Sequence, residues 1–198
     1  MFRISLSLAL VFALPAAHAG NYEDGVRLLE AKAFVKAAAA FRLSAAEGNA
    51  AAERQLGFMY YRGEGVKQSD AEAVAWFERS ASHGDLQSQV NLGQMYENGL
   101  SVAQSDARSA QWYRMAAEQG DRRSQLRFGQ ICYLGAGVPR DRAEAVKWWH
   151  LATRKEDEVA ARMRSMIQSA VDKISPEERG EGRKRAEEWL AVKSKRND

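Results

Sequence analysis

Beyond residue 19 the chain holds three side chains suited to catalysis near neutral pH: the thiol of Cys132 and the imidazoles of His83 and His150. A thiol is nucleophilic only as its thiolate, which needs an electropositive, partly exposed setting. Cys132 instead takes a helix position that Tyr60 and Tyr96 fill elsewhere in the chain, on the side facing a core. A buried, inert thiol is the expectation. His83 ends a helical pattern, where a cation is mildly favoured, and His150 adjoins the pair Trp148-Trp149. Both read as capping or surface residues. The loops Gly63-Glu64-Gly65 and Gly135-Ala136-Gly137 have the composition of a phosphate cradle. No strand precedes either, and they recur in register, so they read as helix stops. No C-x-x-C, H-E-x-x-H or Walker-type spacing occurs. These residues predict a protein that is not an enzyme, with no metal and no cofactor. What matters is then the surface that the surrounding elements present.

Those elements repeat. LGFMYYRG at 56–63, LGQMYENG at 92–99 and FGQICYLG at 128–135 stand 36 residues apart. Fixed-interval self-similarity marks a repeat array. Three units follow, over 48–83, 84–119 and 120–155. Each opens with glycine and an N-cap residue, Asn49, Asp85 or Asp121. A first helix then runs to about Arg62, Asn98 and Leu134, with apolar columns such as Ala52, Leu56, Met59 and Tyr60 at i, i+4, i+7 and i+8, one helix face. Gly63, Gly99 and Gly135 stop it as residues able to take positive φ. Val66, Val102 and Val138 follow in the loops and are expected to plug the gap beneath them. The second helices start near Asp70, Asp106 and Arg142. Their columns pair large rings with alanines, as in Trp112, Tyr113, Ala116 and Ala117. Gly57, Gly93 and Gly129 lie inside the first helices, where glycine costs about 1 kcal/mol against alanine. Close approach of a neighbouring helix is the expected offset.

The order A-x-x-L-G-x-M-Y, G-x-G-V, A-x-x-W-Y/F-x-x-A-A-x-x-G resembles the Sel-one-like repeat, a relative of the tetratricopeptide repeat, over 48–155. The resemblance implies an all-α fold, an α-solenoid of stacked antiparallel helix hairpins with C-terminal capping helices. Two positions depart from the pattern. Ser101 replaces the glycine seen at Gly65 and Gly137, which predicts a strained or reshaped loop in the second unit. Cys132 stands in a tyrosine column.

The flanks complete the array. Residues 20–47 read as a degenerate hairpin, with Ala37, Ala40, Phe41, Ser44 and Ala45 in the second-helix columns. Residues 156–198 read as capping helices. One spans about 156–174, and another opens at the capping box Ser175-Pro176-Glu177-Glu178. Gly180 and Gly182 are expected to weaken that last helix. At the other end, Arg3, an apolar stretch of eleven residues at 4–14 and Ala17-His18-Ala19 form a secretory signal peptide over 1–19. Cleavage after Ala19 predicts a periplasmic or secreted chain with no transmembrane segment. The whole chain has 29 basic and 26 acidic residues, a net charge of +3. Such a balance argues against nucleic acid as the main partner, which usually calls for a basic stripe.

On the first helices, 100° per residue puts Arg54, Phe58 and Tyr61 opposite the core direction of Leu56 and Met59. The equivalents are Val90, Gln94, Glu97 and Leu126, Gln130, Tyr133. The resemblance implies that this is the concave side of a solenoid, a groove for a protein or peptide. It further implies an exported, non-catalytic adaptor or regulatory scaffold of a bacterial envelope. Two alternatives are a periplasmic immunity protein that neutralises a secreted toxin and, less favoured, a hydrolase of cell-wall-derived compounds. The cysteine pairs of the disulfide-rich branch to which that hydrolase reading belongs are absent.

Overall fold

A computed structural model describes residues 20–195 of the 198-residue chain. The expected signal peptide lies outside the described residues. The ten described helices are α1 Gly20–Glu30, α2 Phe34–Ala46, α3 Ala50–Arg62, α4 Asp70–Ser82, α5 Leu86–Asn98, α6 Asp106–Gln119, α7 Arg122–Leu134, α8 Arg142–Thr153, α9 Glu158–Val171 and α10 Pro176–Ser194. Helices α1 to α8 pair in sequence as antiparallel hairpins, and each hairpin packs on the next.

The local chemistry repeats with the sequence. Asn49, Asp85 and Asp121 cap α3, α5 and α7, each accepting from the backbone N–H three residues on. Ser69, Ser105 and Asp141 do the same for α4, α6 and α8. Each such cap satisfies one of the four orphan N–H groups at a helix start. Gly63, Gly99 and Gly135 end the first helices at φ of 70°, 67° and 76°. One backbone bond then closes each of the three repeat hairpins: the N–H of Ser69, Ser105 or Asp141 donates to the carbonyl of Tyr60, Tyr96 or Cys132 at 2.9–3.0 Å. Val66, Val102 and Val138 pack half-buried against three successive cores.

The second loop keeps its shape despite Ser101. Its φ of 59° matches the 70° and 72° of Gly65 and Gly137. The difference is strain, since a non-glycine residue in that region costs roughly 1–2 kcal/mol. A side-chain bond partly compensates: Ser101 Oγ donates to Asp70 Oδ2 at 2.8 Å.

The interior glycines are where rings need room. A Cβ at Gly57 would lie 2.7 Å from the Phe77 ring, at Gly93 2.9 Å from Tyr113, and at Gly129 2.5 Å from Trp149. Gly25 has the same relation to Phe41, at 2.5 Å. The interval there is 16 residues rather than 20, because the α1–α2 loop is shorter.

The C-terminal end breaks the pattern. It is α10, not α9, that lies along α8 as a hairpin partner would. Gly182 corrects the expectation of mere weakness. A Cβ there would lie 2.5 Å from the Ala143 carbonyl oxygen, so the glycine lets two helix backbones touch. Gly180 has open space around it. Trp189 of α10 then meets Trp148 edge-on, with ring centres 5.9 Å apart.

Candidate protein-binding face

The first helices α3, α5 and α7 carry the nine residues expected on the binding face, and the structure sorts them into two kinds. Tyr61, Gln94 and Gln130 are exposed. The other six are partly buried, and all but Val90 are engaged by another helix.

Arg54 Nη1 donates to Asp85 Oδ2 at 2.6 Å, tying α3 to the cap of α5. Phe58 packs edge-on against Phe77 at 5.0 Å, with the Arg62 guanidinium over its outer face. Val90 is half-buried. Glu97 accepts from the Tyr113 hydroxyl at 2.9 Å and pairs with Arg127 of the following unit. Leu126 packs partly buried on the last core, and its carbonyl accepts from Trp149 Nε1 at 3.1 Å. Tyr133 tilts onto Trp149 at 5.6 Å under the Arg140 guanidinium. Gln130, though exposed, accepts from Arg127 at 2.6 Å.

The face is also divided along its length. At the third unit, Met166, Ile167 and Ala170 of α9 close a cavity of about 200 Å³ over Leu126, Gln130 and Tyr133. At the junction of the first two units the face stays open. Phe58, Tyr61, Phe77, Asn91, Gln94, Met95, Leu100 and Ser101 line a pocket of about 180 Å³ there. Tyr61 and Leu100 are 50% and 56% exposed, large apolar side chains at its mouth. An apolar pocket with a few convergent polar groups, here Asn91 and Gln94, is the usual form of a binding site.

Sequence reasoning placed Phe58, Tyr61 and Gln94 on this face but missed Asn91, Met95, Leu100 and Ser101. The signal was available. Leu100-Ser101 stands where the other units have Glu64-Gly65 and Ala136-Gly137, and that departure from the repeat sits at the pocket.

Burial quenches two groups that could otherwise do chemistry. Burial pushes the Cys132 thiol up to about 12, and the Glu144 and Asp141 charges add to it. The Tyr113 hydroxyl is likewise raised to about 12 by burial. His83 caps α4 with Nδ1 2.7 Å from Glu53 Oε2, a structural contact within the α3–α4 hairpin. Among the described residues, no group of three or more His, Cys, Asp or Glu side chains is placed to hold a metal ion. No described helix is long and apolar enough to cross a membrane.

Hairpins stacked at a 36-residue period, each packed on the next, define a helical-repeat solenoid. The Sel1 repeat matches residues 50–85, 86–121 and 123–157, and the chain belongs to the Sel1 repeat family. Such repeats generally serve as non-catalytic scaffolds for protein–protein interaction. Similar solved structures include two Sel1-type repeat proteins. One is c5321, a protective antigen present in uropathogenic Escherichia coli strains and displaying an SLR fold, at 27% identity and a TM-score of 0.67 over 86% of this chain and 38% of that one. The other is a Sel1 repeat protein from Oxalobacter formigenes, at 29% identity and a TM-score of 0.66 over 75% of this chain and 44% of that one. The chain therefore spans less than half the length of either. No curated protein matches it.

Proposed function

We propose that the protein is an exported adaptor of the bacterial envelope that captures a partner protein through the first-helix face at the junction of its first two repeat units. The observation that carries this reading is the open apolar pocket between α3 and α5, with Tyr61 and Leu100 exposed at its mouth. Exposed large apolar groups around a pocket mark interaction sites. Aromatic anchors commonly carry most of an interface's energy, about 2 kcal/mol or more on truncation. Export rests on the leader pattern of residues 1–19.

The test is capture from an envelope extract by the wild type and by a Tyr61→Ala, Gln94→Ala, Leu100→Ala variant. All three side chains are exposed, so circular dichroism and melting should be unchanged while capture falls at least tenfold. Full-strength capture by the folded variant removes the pocket as the site. The identity of what is captured separates an adaptor from an immunity protein, for which a secreted toxin would dominate. Mass spectrometry of the exported chain should find Gly20 at its N-terminus, and a chain starting at Met1 in the cytoplasm overturns export.

A further inference from the structure

At the opposite end of the array from that pocket, α8, α9 and α10 border a further cavity of about 210 Å³ that opens to solvent, with Arg164 and Arg183 exposed at its edge. Trp149, Ile167 and Val171 form an apolar side, and His150, Arg164 and Arg183 line it with basic groups. No carboxylate lines it.

The three basic groups are not equally committed. Arg164 Nη1 donates to the Thr153 carbonyl at 2.8 Å, which anchors the side chain at the cavity and leaves its other donors free. Arg183 makes no hydrogen bond or ion pair among the described residues. Its charge is felt by His150: burial and then Arg183 hold that imidazole below its usual pKa, Arg154 adds to this, and Glu187 alone opposes it. Two guanidinium groups, from α9 and α10, thus converge with an imidazole from α8 on one apolar cavity that no carboxylate lines. On the same helix Arg185 is by contrast paired with Asp141, Glu144 and Glu181.

We propose that this cavity is a binding site for a small carboxylate carrying a ring-sized apolar body. The carboxylate takes the Arg183 and Arg164 guanidinium groups, whose planar forks match its two oxygens. The apolar body lies against Trp149, Ile167 and Val171. His150, neutral near pH 7, adds one hydrogen bond. The volume corresponds to roughly seven waters at about 30 Å³ each, room for one ring and a short chain. A phosphate fits less well, because its remaining oxygens would face Trp149 and Ile167 and lose their water.

The probe is 3-phenylpropanoate, titrated into the full chain and followed by calorimetry and by the tryptophan indole signals in NMR. An apolar acid of this size should bind with a Kd of about 0.1–5 mM, within the range of small-ligand efficiencies. The neutral isostere 3-phenylpropanamide should bind at least tenfold more weakly, and inorganic phosphate should not bind detectably. Arg183→Ala should weaken 3-phenylpropanoate at least fivefold with an unchanged melting temperature, since Arg183 holds nothing else. Lys184→Ala, one residue along the same helix, should leave affinity unchanged.

No saturable binding, equal binding of acid and amide, or an Arg183→Ala variant as good as wild type would each overturn the proposal. So would phosphate binding as tightly as the acid, or a Lys184→Ala loss as large as that of Arg183→Ala, which would indicate bulk charge. The Tyr61, Gln94, Leu100 variant should bind the probe normally, so failure of this site and failure of the proposed partner site are told apart.

Discussion

The first and second repeat units differ at one buried spot that their backbones share. In the second unit Gln89 is 2% exposed. Its Nε2 donates to the Ala81 carbonyl at 3.0 Å, and its Oε1 accepts from Gln119 at 2.8 Å. In the first unit the same position is Glu53, fully buried and unable to donate. There Arg79 Nη2 donates to the matching Ala45 carbonyl at 3.0 Å, while Arg79 Nε and His83 both engage the Glu53 carboxylate. Gln125 repeats the neutral solution in the third unit, donating to Ala117 at 3.2 Å. A carbonyl near a helix end must be given a donor when it is buried. The stacked hairpins accept an amide or a guanidinium for that task. Once an acid takes the central position, cations have to come with it.

The two units also seat their tryptophans at different depths. Trp112 is 9% exposed, whereas Trp76 is half-buried with the Arg79 guanidinium over its ring. Trp112→Ala should therefore have the largest effect, about 3–5 kcal/mol, as for large aromatic truncations in cores. Trp76→Ala should cost about half that. Chemical denaturation of both variants checks the order, and equal losses would mean that the rings are equally buried.

The charged cluster supplies the next test. Arg79→Met, which copies Met115 of the second unit, leaves Glu53 buried with His83 alone and the Ala45 carbonyl without its donor. Removing one partner of a buried pair costs about 3–5 kcal/mol. Arg79 is itself half-exposed, so about 2–3 kcal/mol is expected. Adding Glu53→Gln and His83→Gln transplants the second unit's complete arrangement and should restore stability to within about 1 kcal/mol of wild type. If the triple variant is no better than Arg79→Met alone, the two arrangements are not interchangeable.

What was legible in the sequence follows the same line between periodic and singular features. Caps such as Asn49 and Asp85, stops such as Gly63 and Gly99, and the ring columns are set by neighbours a few residues away, so their spacing shows in the chain. Gly25 escaped because the shorter first loop moves it out of the 36-residue register. The docking of α10 on α8 escaped because it depends on a non-repeating contact, Gly182 against Ala143, that no period announces. On the candidate face, helix geometry gave direction but not cover. Leu126 and Tyr133 lie opposite the expected core direction of their helix, yet both pack at the edge of the last core and α9 adds cover. Leu100 and Ser101 lie in a loop, outside any helical face count.

Two glycines sharpen the contrast between packed and open positions. Gly93→Ala would push a Cβ into the Tyr113 ring, which is 5% exposed and held by its bond to Glu97. Overpacking costs about 1–3 kcal/mol, against a helix-propensity gain of about 1 kcal/mol. The variant should lose stability, by about 1–2 kcal/mol. Gly180→Ala meets nothing and should gain up to about 1 kcal/mol in α10. Opposite signs in two thermal melts are the expected result, and a gain in both would mean that the Tyr113 ring moves aside freely.

The smallest effect concerns the cap of the second helix, where the third unit departs from the other two. Ser69 and Ser105 are neutral, but Asp141 is ionisable. Burial alone would raise the Asp141 carboxyl. The Glu144 N–H and the Arg185 side chain outweigh that and hold it below the usual carboxylate range. A group whose pKa is lowered on folding contributes stability above its unfolded value of about 3.9 and loses it as pH falls through the folded value. The wild type should therefore lose more of its melting temperature between pH 5 and about pH 2.5 than Asp141→Ser, which keeps a capping oxygen but has no charge to lose. Near pH 7 the same substitution should lower the melting temperature slightly, because the pairing with Arg185 at 2.9 Å goes with the carboxylate. Asp141 is 44% exposed, so solvent screening keeps the effect small. Parallel acid profiles for wild type and variant would show that the cap bond, and not the charge, is what the third unit draws from its aspartate.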